Sequence, residues 1–448
     1  MINTISIIKY AFIPIWMILI LLTYLNLNNY FGSYFSLILL LSLVVFIFLN
    51  LRNFSEPPII VLVLSAVYFS VRQILHIELP ILLVSHLPQP SFYEITRGNI
   101  LIILGLVFFF LGYITLRKKQ PNFSEHNQML KGSEVYLLWL LFLFSLSSIV
   151  LIFAINGANL TYLQAYAQDV LKSPLNSLLY TIYLSMPIFA CGLAFHYKQI
   201  EKKYLGFIIL VFTALTTFIL ARREPLIFLL LGTLIIYQPK INFTNLLKPF
   251  LIVCSIGFLI FFLVYLRVSS QLSSEIPISF FDFIFIYAIS EEFWTYDILL
   301  VILTEAGSYS MPFRNGIDLT PKFVDNFFPY EFPEEALDEI IGQDYKPALR
   351  AIVGTPFTIF GATYLNFGIF GLCFGMFLVG LVAKFINIFK LSSKNIVSFL
   401  LTVILFSAFF FLIRNADIYN VFLMIVKNFI IVIIPFLTLK LAKIWITR

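Results

Sequence analysis

The feature that most constrains this chain is a series of long apolar runs that recurs along nearly its whole length. Runs of about 18–22 residues match a hydrocarbon core of about 30 Å when they are helical. Hydrophobic residues make up 60% of the sequence and charged residues 12%, whereas average soluble domains are about 25% charged. The pattern predicts an all-α, polytopic membrane helix bundle in which residues 1–448 form a single integral membrane domain.

Twelve of these runs are candidate transmembrane helices. They lie near residues 7–25, 34–50, 58–76, 99–116, 135–155, 175–196, 204–220, 225–238, 249–267, 367–389, 395–413 and 417–438. The first run is too long for a signal-peptide core and no small-residue cleavage site follows it, so we expect it to be retained. Between the ninth and tenth spans, residues 268–366 are predicted to form a large external loop with its own structure, because long loops without a role are uncommon.

Lysine-rich connections alternate with lysine-poor ones. The lysine-rich set comprises Arg117–Lys131, Lys198–Lys203, Lys240–Lys248, Lys384–Lys394 and Lys440–Arg448. By the positive-inside rule, these connections and both termini are predicted to be cytoplasmic. Phe280–Ala306 is apolar enough to resemble a further span, but its five acids argue against burial in lipid. We expect this stretch to be helical and to lie in or near the outer interface.

The 29 basic residues divide by type between the two predicted sides. Of the 17 on the cytoplasmic side only three are arginines, whereas eight of the remaining 12 are. Those eight are Arg72, Arg97, Arg222, Arg223, Arg267, Arg314, Arg350 and Arg414. Guanidinium groups bind phosphate and carboxylate in a bidentate manner. The set therefore favours an anionic ligand at the outer leaflet, although pairing with acids of the 268–350 region explains some members equally well.

The stretch "ILARREPLIF", residues 219–228, places Arg222, Arg223 and Glu224 between two apolar runs without a spacer. Both flanking helices are predicted to be shorter than the roughly 20 residues a span needs, so the hairpin tip is expected to be recessed within the protein. Charge at that depth is costly unless paired and is a functional hypothesis by default. Arg267 and Arg414 end two other helices on the same predicted side, and four guanidinium groups could converge there.

Other charged residues complete the candidate site. Lys427, within an apolar run, is expected to face the bundle interior, either as counter-ion to a buried acid or in a lipid head-group pocket. "SEEFWTYD", residues 290–297, sets Glu291, Glu292 and Asp297 beside aromatic residues. That arrangement suits sugar binding and equally suits an interfacial aromatic belt. These carboxylates are candidate general bases. The sequence has no phosphate-binding loop, nucleophile elbow or metal-ligand spacing, so no metal or other cofactor is predicted.

The overall layout resembles the Wzy-type oligosaccharide repeat-unit polymerases, the O-antigen polymerase family. Shared features are the many helices, the late external loop, an arginine at a tight external hairpin followed by "LIFLLLG", the Gly354–Phe385 region, and Arg414 in "LIRNADIY". Many relatives carry an acid after the glycine of "GATYLNFG", where this chain has Ala362. The related O-antigen ligases typically rely on a histidine in the large loop, and no histidine lies in that loop here.

The resemblance implies a metal-independent enzyme of the bacterial cytoplasmic (inner) membrane whose active site faces the periplasm. Its substrate would be undecaprenyl-diphosphate-linked oligosaccharide, and its partners would include chain-length regulator and flippase proteins. By this reading Arg222, Arg223, Arg267 and Arg414 bind diphosphate, and Glu291 or Asp297 is the base. Arg314, Arg350, Lys427 and Glu292 are secondary candidates. The alternatives are a lipid-linked oligosaccharide flippase or transporter and an O-antigen ligase.

Overall fold

The structure is a computed structural model, and it describes residues 30–51, 53–78, 90–116, 132–156, 173–218, 224–237, 296, 299–300, 302–303, 306, 358–392, 395–416 and 418–446. Its elements in these residues are helices. They are α1 (Tyr30–Leu49), α2 (Pro58–Val63), a π-helical turn (Leu64–Phe69), α3 (Ser70–Glu78), α4 (Phe92–Thr115), α5 (Gly132–Asn156), α6 (Pro174–Leu184), α7 (Met186–Gln199), α8 (Lys203–Phe218), α9 (Glu224–Tyr237), α10 (Ile359–Ser392), α11 (Ile396–Asn415), α12 (Ile418–Asn428), a second π-helical turn (Phe429–Ile433) and α13 (Ile434–Ile446).

In the described residues, the spans predicted from hydropathy coincide with helices of the structure. Seven helical stretches there are long and apolar enough to cross a membrane, and α8 and α9 are shorter apolar helices. The predicted spans near 7–25 and 249–267 lie outside the described residues, and each of the other ten overlaps a helix. The all-helical class is therefore confirmed for this part of the chain, while the count of twelve remains a prediction.

Local capping explains why two helices begin where they do. Before α4, the Ser91 hydroxyl accepts a hydrogen bond from the Glu94 amide at 3.3 Å, and the Glu94 carboxylate accepts one from the Ser91 amide at 2.6 Å. This reciprocal capping box satisfies amides that have no partner within the helix. Before α11, Asn395 accepts from the Ser398 amide at 2.9 Å. The capping box lets α4 begin seven residues before the predicted span at 99.

Close backbone contact joins α4 to α10. A Cβ built on Gly112 would overlap the carbonyl oxygen of Phe377, and one built on Gly380 would overlap that of Phe109. Small residues at such crossings let membrane helices approach closely, so that dispersion contacts can replace a hydrophobic driving force that lipid does not supply. The contact between α4 and α10 is thus specified by two glycines that face each other.

A second group of helices packs around α7. Gly232 of α9 lies against the thiol of Cys191 in α7, and its built Cβ would be 3.6 Å from Val403 of α11. Phe195 of α7 stacks on Phe399 of α11 with ring centroids 4.3 Å apart. These contacts make α7, α9 and α11 one packed unit.

The packing also defines two ends of the bundle. One end of the bundle is formed by residues 53–57, 195–203, 384–392 and 395–399. We call it the lysine end because Lys198, Lys203, Lys384 and Lys390 lie there. At that end, Lys390 donates hydrogen bonds to the carbonyl and hydroxyl oxygens of Ser55, at 2.8 and 3.1 Å. The opposite end, where α4 and α9 begin and α11 ends, we call the arginine end.

Two stretches assigned to the external loop by the sequence are part of the bundle. Tyr296, Leu299, Leu300, Ile302 and Leu303 are all buried. Leu300 fills the space beside Gly98 of α4, and Ile302 packs on Gly361 of α10. The described residues of this stretch therefore pack between helices near the arginine end, while its position relative to the outer membrane interface remains a prediction.

The beginning of α10 is the second such stretch. The helix was predicted from residue 367, but it begins at Ile359 and is broken at Phe367 and Gly368, where Gly368 has φ 61°. A Cβ built on Gly375 would lie 2.5 Å from Thr363 Cγ2, although residues 12 apart in a straight helix are about 18 Å apart. The chain therefore folds back at Gly368, whose positive φ is one that glycine adopts at little cost.

Candidate functional site

Arg414 lies in the last turn of α11 at the arginine end. The helix is closed by Ala416 in the left-handed conformation, φ 53°, whose amide donates to the Leu412 carbonyl at 3.0 Å. The Arg414 side chain is half-buried. A cation is favoured in the last turn of a helix by the free carbonyl groups there. The fold therefore supplies a fixed platform for this guanidinium.

The beginning of α9 comes to the same end of the bundle. This helix starts at Glu224, directly after Arg223 in the chain. The rings of Phe228 in α9 and Phe411 in α11 have centroids 6.3 Å apart, and Gly232 packs on Val403 further along. The two helices are thus antiparallel, with the residue after Arg223 level with the turn that carries Arg414.

The sequence predicted that the hairpin carrying Arg222 and Arg223 joins two helices shorter than a full span, and the two flanking helices are indeed short. α8 has 16 residues and α9 has 14, and residues 219–223 connect them. Pro225 and residues 226–229 are buried, so the first turns of α9 lie inside protein. The Tyr183 hydroxyl donates to the Thr216 carbonyl at 3.0 Å and ties α8 to α6 near this end. Arg222 and Arg223 themselves lie outside the described residues.

Within the acid-bearing segment 290–297, Tyr296 is the residue that the structure describes. Its side chain is fully buried, and its hydroxyl donates to Asn99 Oδ1 of α4 at 3.4 Å. Its ring packs against Phe69 and His76, with centroid distances of 5.9 and 6.5 Å. Three candidate carboxylates (Glu291, Glu292 and Asp297) and three arginines (Arg267, Arg314 and Arg350) lie outside the described residues.

A comparison with protein families decides the class of protein. A family model described as O-antigen polysaccharide polymerase Wzy matches residues 5–444. The chain belongs to this family. No curated protein and no solved structure matches the chain. Its Wzy-family membership and its apolar helices make it a multi-pass membrane protein of polysaccharide biosynthesis, with a polymerase-type activity on lipid-linked oligosaccharide.

Ala362 stands at the position where the resemblance implied an acid in many relatives. Ala362 is buried, and its amide donates to the Thr358 carbonyl at 3.0 Å. It lies in the first turns of α10, before the break at Gly368. The preceding residue, Gly361, packs against Ile302 and Leu299. This position supplies no acid, so Ala362 is not a candidate general base.

Lys427 corrects one expectation. It was predicted to face the bundle interior, and the preferred role was counter-ion to a buried acid, but its side chain is exposed. The adjacent Asn428 is the buried residue, and its Oδ1 accepts from the Ser185 hydroxyl at 3.2 Å. The buried counter-ion role is therefore wrong, and an accessible role toward a lipid head group is the one that remains.

One polar face was missed by the sequence reading. Phe69, Arg72, Gln73 and His76 follow one another at helical spacing, and all four side chains are buried. Phe69 and His76 pack on Tyr296, and Gln73 bonds to Ser33 of α1. Arg72 had been counted only among the arginines of the outer side. The spacing of 69, 72, 73 and 76 was a visible signal for an inward face that carries charge.

The described residues contain no group of three or more His, Cys, Asp or Glu side chains that could hold a metal ion. Cys191 and Cys373 are both free thiols within apolar helices. What the described part of the candidate site offers chemically is a guanidinium at a helix end, at Arg414, and separately a buried, hydrogen-bonded tyrosine at Tyr296.

Proposed function

We propose that this Wzy-family chain polymerises undecaprenyl-diphosphate-linked oligosaccharide repeat units at the periplasmic face of the bacterial inner membrane. The growing glycan is transferred from its lipid diphosphate to a hydroxyl group of the incoming lipid-linked repeat. The polymer is an O antigen or a related surface polysaccharide. The observation that carries the proposal is the antiparallel register of α9 and α11, since it aligns the residue after Arg223 with the turn that bears Arg414.

The reaction makes one bond and breaks one. The acceptor oxygen bonds to the anomeric carbon of the growing chain, while the bond from that carbon to the diphosphate oxygen breaks and undecaprenyl diphosphate leaves. The acceptor proton passes to a carboxylate acting as general base. Negative charge develops on the departing diphosphate, and arginines held in a water-poor site would stabilise it without a metal.

The proposed roles follow from this chemistry. Arg223, Arg267 and Arg414 bind the diphosphate, and Arg222 shares that role or pairs with Glu224. Glu291 or Asp297 receives the acceptor proton. The buried first turns of α9 support this assignment, because a guanidinium next to them would be partly shielded from water, where electrostatic interactions are stronger.

The test is polymerisation by the purified protein in liposomes that contain lipid-diphosphate-linked repeat units, with products sized on a gel. Wild-type protein should give a ladder. Arg414→Ala and Arg223→Ala should each slow ladder formation by about 10²-fold, the typical effect of losing one preorganised donor. Lys440→Ala is the matched control, because it removes an exposed cation from α13, away from the arginine end.

Two outcomes would contradict the proposal. The first is a wild-type protein that gives no ladder but moves labelled lipid-linked sugar across the liposome bilayer, as a flippase would. The second is transfer of the glycan to a lipid acceptor that carries no diphosphate, with no increase in repeat number, as a ligase would perform.

A further inference from the structure

Lys427 lies on the outward face of the last span. The span covers Val421–Ala442, and the Lys427 side chain is exposed while that of the next residue, Asn428, is buried. Asn428 Nδ2 donates to the Met424 carbonyl at 2.8 Å, which orients the amide, and Asn428 Oδ1 accepts from the Ser185 hydroxyl at 3.2 Å. The bond to Ser185 holds this face of the helix against the bundle. Lys427 is roughly 100° further round the helix, so the same contact keeps it turned outward.

The Lys427 ammonium group is directed toward the arginine end. α12 begins at Ile418, directly after the turn that closes α11, and Lys427 is nine residues further along, which is about 14 Å in an α-helix. Helical side chains tilt toward the N-terminus of their helix, and a lysine on an apolar surface extends its charge toward water. Lys427 therefore brings a positive charge to the lipid-facing side of the bundle, at the end where Arg414 lies in the adjoining helix.

An apolar stripe continues from Lys427 along the same face. Exposed hydrophobic side chains follow it at spacings of three and four residues, and they are Ile430, Ile434, Leu437 and Leu441. Lys427 and Leu441 are 14 residues apart, so the stripe is about 21 Å long. One leaflet of the hydrocarbon core is about 15 Å thick, and the acyl chains of a phospholipid fill one leaflet. The stripe is therefore long enough to suit a lipid chain that extends past the middle of the bilayer.

We propose that Lys427 and this stripe form the docking site for the lipid-linked substrate, with Lys427 against the diphosphate and the polyprenyl chain along the stripe. The inference rests on the proposed polymerase function, which supplies the identity of the lipid. Charge complementarity carries it, because a cation at the head of an apolar face matches an anionic head group on one long hydrocarbon chain.

The residue type at position 427 fits a docking role. An ammonium group binds phosphate as a point charge, without the two-point geometry of a guanidinium, so the head group can leave it readily. α11 and α12 are consecutive helices, and the head group need only pass from one to the other to reach the turn that carries Arg414. No bond forms or breaks in this step.

The first test is steady-state kinetics of the full-length protein in the liposome assay. Lys427→Leu should raise KM for the lipid-linked repeat about tenfold, since one contact with a charged group is lost. It should leave kcat unchanged, because the head group leaves Lys427 before the transition state. Lys427→Arg keeps the charge and should keep KM near the wild-type value. Leucine at a lipid-facing position lowers the cost of insertion, so a failure to fold would not mimic the expected result.

Lys440→Leu is the matched control. Lys440 is also an exposed lysine of the last span, but it lies in α13, 13 residues further toward the lysine end. The same change of charge and size there should leave both KM and kcat unchanged.

The second test identifies the lipid directly. A photoreactive residue on the stripe, Ile434→p-benzoylphenylalanine, should cross-link radiolabelled undecaprenyl diphosphate in phosphatidylcholine liposomes. Adding Lys427→Leu should lower the yield about tenfold, for the same loss of one charged contact. Unlabelled undecaprenyl diphosphate should compete, whereas phosphatidylglycerol, an anionic phospholipid, should not.

Several results would overturn the inference. They are an unchanged KM in Lys427→Leu, an equal rise of KM in Lys440→Leu, and cross-linking that phosphatidylglycerol suppresses, as at a general site for anionic phospholipids. A lower kcat in Lys427→Leu would also overturn it, because Lys427 would then act in the transfer step. In these cases the wild-type protein still makes polymer, so the proposed function stands. A wild-type protein that makes no ladder but shows the expected cross-linking overturns the proposed function and leaves the docking site in place.

Discussion

At the scale of single residues, charge type separates the two ends of this molecule. Lysines mark the end where α7 and α10 finish, and Lys390 is held there by Ser55. Arg414 instead lies where α11 ends and α9 begins. A lysine ammonium is a compact, strongly hydrated charge, whereas guanidinium presents a planar fork that fits phosphate. This distribution supports the proposal that the arginine end binds phosphate, while the lysines at the other end set the orientation of the protein in the membrane.

This difference leads to a prediction for Arg414→Lys. The variant keeps the positive charge at the end of α11 but loses the bidentate geometry. We expect polymerisation slower than wild type and faster than Arg414→Ala, with the larger part of the loss in kcat. Initial rates of ladder growth measure this. Full activity of the lysine variant would show that charge alone suffices and that no bidentate contact is made there.

The sequence predicted which residue types form the candidate site, but it predicted only in part whether their side chains are buried. Arg414 was identified from its place at a helix end, and the structure puts it there. Lys427 was assigned to the interior because a charged residue in an apolar run is costly, yet the neighbouring Asn428 takes the buried position. Sequence periodicity could not decide which of these two adjacent residues is buried, because the burial of Asn428 depends on Ser185, which lies between α6 and α7.

At the scale of elements, hydropathy predicted where the spans of the described residues lie. The spacing of glycines along α4 shows how α4 packs against α10. Gly98, Gly105 and Gly112 recur every seven residues along α4 and place one small face against Leu300, Phe360, Leu372 and Phe377. Residues seven apart lie on one side of a helix after two turns. The α4–α10 contact was therefore encoded in the sequence, although hydropathy carries no sign of it.

Gly112→Ala tests this contact. A methyl group there would overlap the Phe377 carbonyl, and overpacking of this kind costs about 1–3 kcal/mol. We expect a lower midpoint of thermal unfolding in detergent and a lower yield of folded protein. Gly132→Ala is the control, since nothing lies within 4 Å of a Cβ at Gly132. Equal stability of the two variants would mean that α4 and α10 are not in backbone contact.

The burial of the 296–306 stretch and the burial of the start of α10 were both missed for the same physical reason. The acids at 291, 292, 297 and 305 argue against membrane burial when counted over a window, but they leave the stripe of Tyr296, Leu299, Leu300 and Leu303 intact. Similarly, the start of α10, with Gly361 and Gly368, was assigned to the loop because glycine is common in loops. In both cases the burial is imposed by partners distant in sequence, Gly98 for Leu300 and Gly105 for Phe360 among them.

At the scale of the whole molecule, orientation in the membrane is the assumption on which the proposed chemistry depends. We expect a cysteine at Arg314 to react with a membrane-impermeant maleimide added outside intact cells, in a background without the three native cysteines. A cysteine at Lys203, exposed at the lysine end, should be protected until the membrane is permeabilised. The reverse pattern would place the 268–366 region, and the proposed site, in the cytoplasm.

The two buried stretches also bear on how this region can vary in length. Ile302 packs on Gly361, so the bundle brings together the two ends of the segment between them. The entropy of closing a flexible loop rises only with the logarithm of its length, at about 0.6 kcal/mol per doubling. Because the closure is held by Gly98, Gly361 and their neighbours, we expect changes in the length of residues 307–357 to cost the bundle little stability.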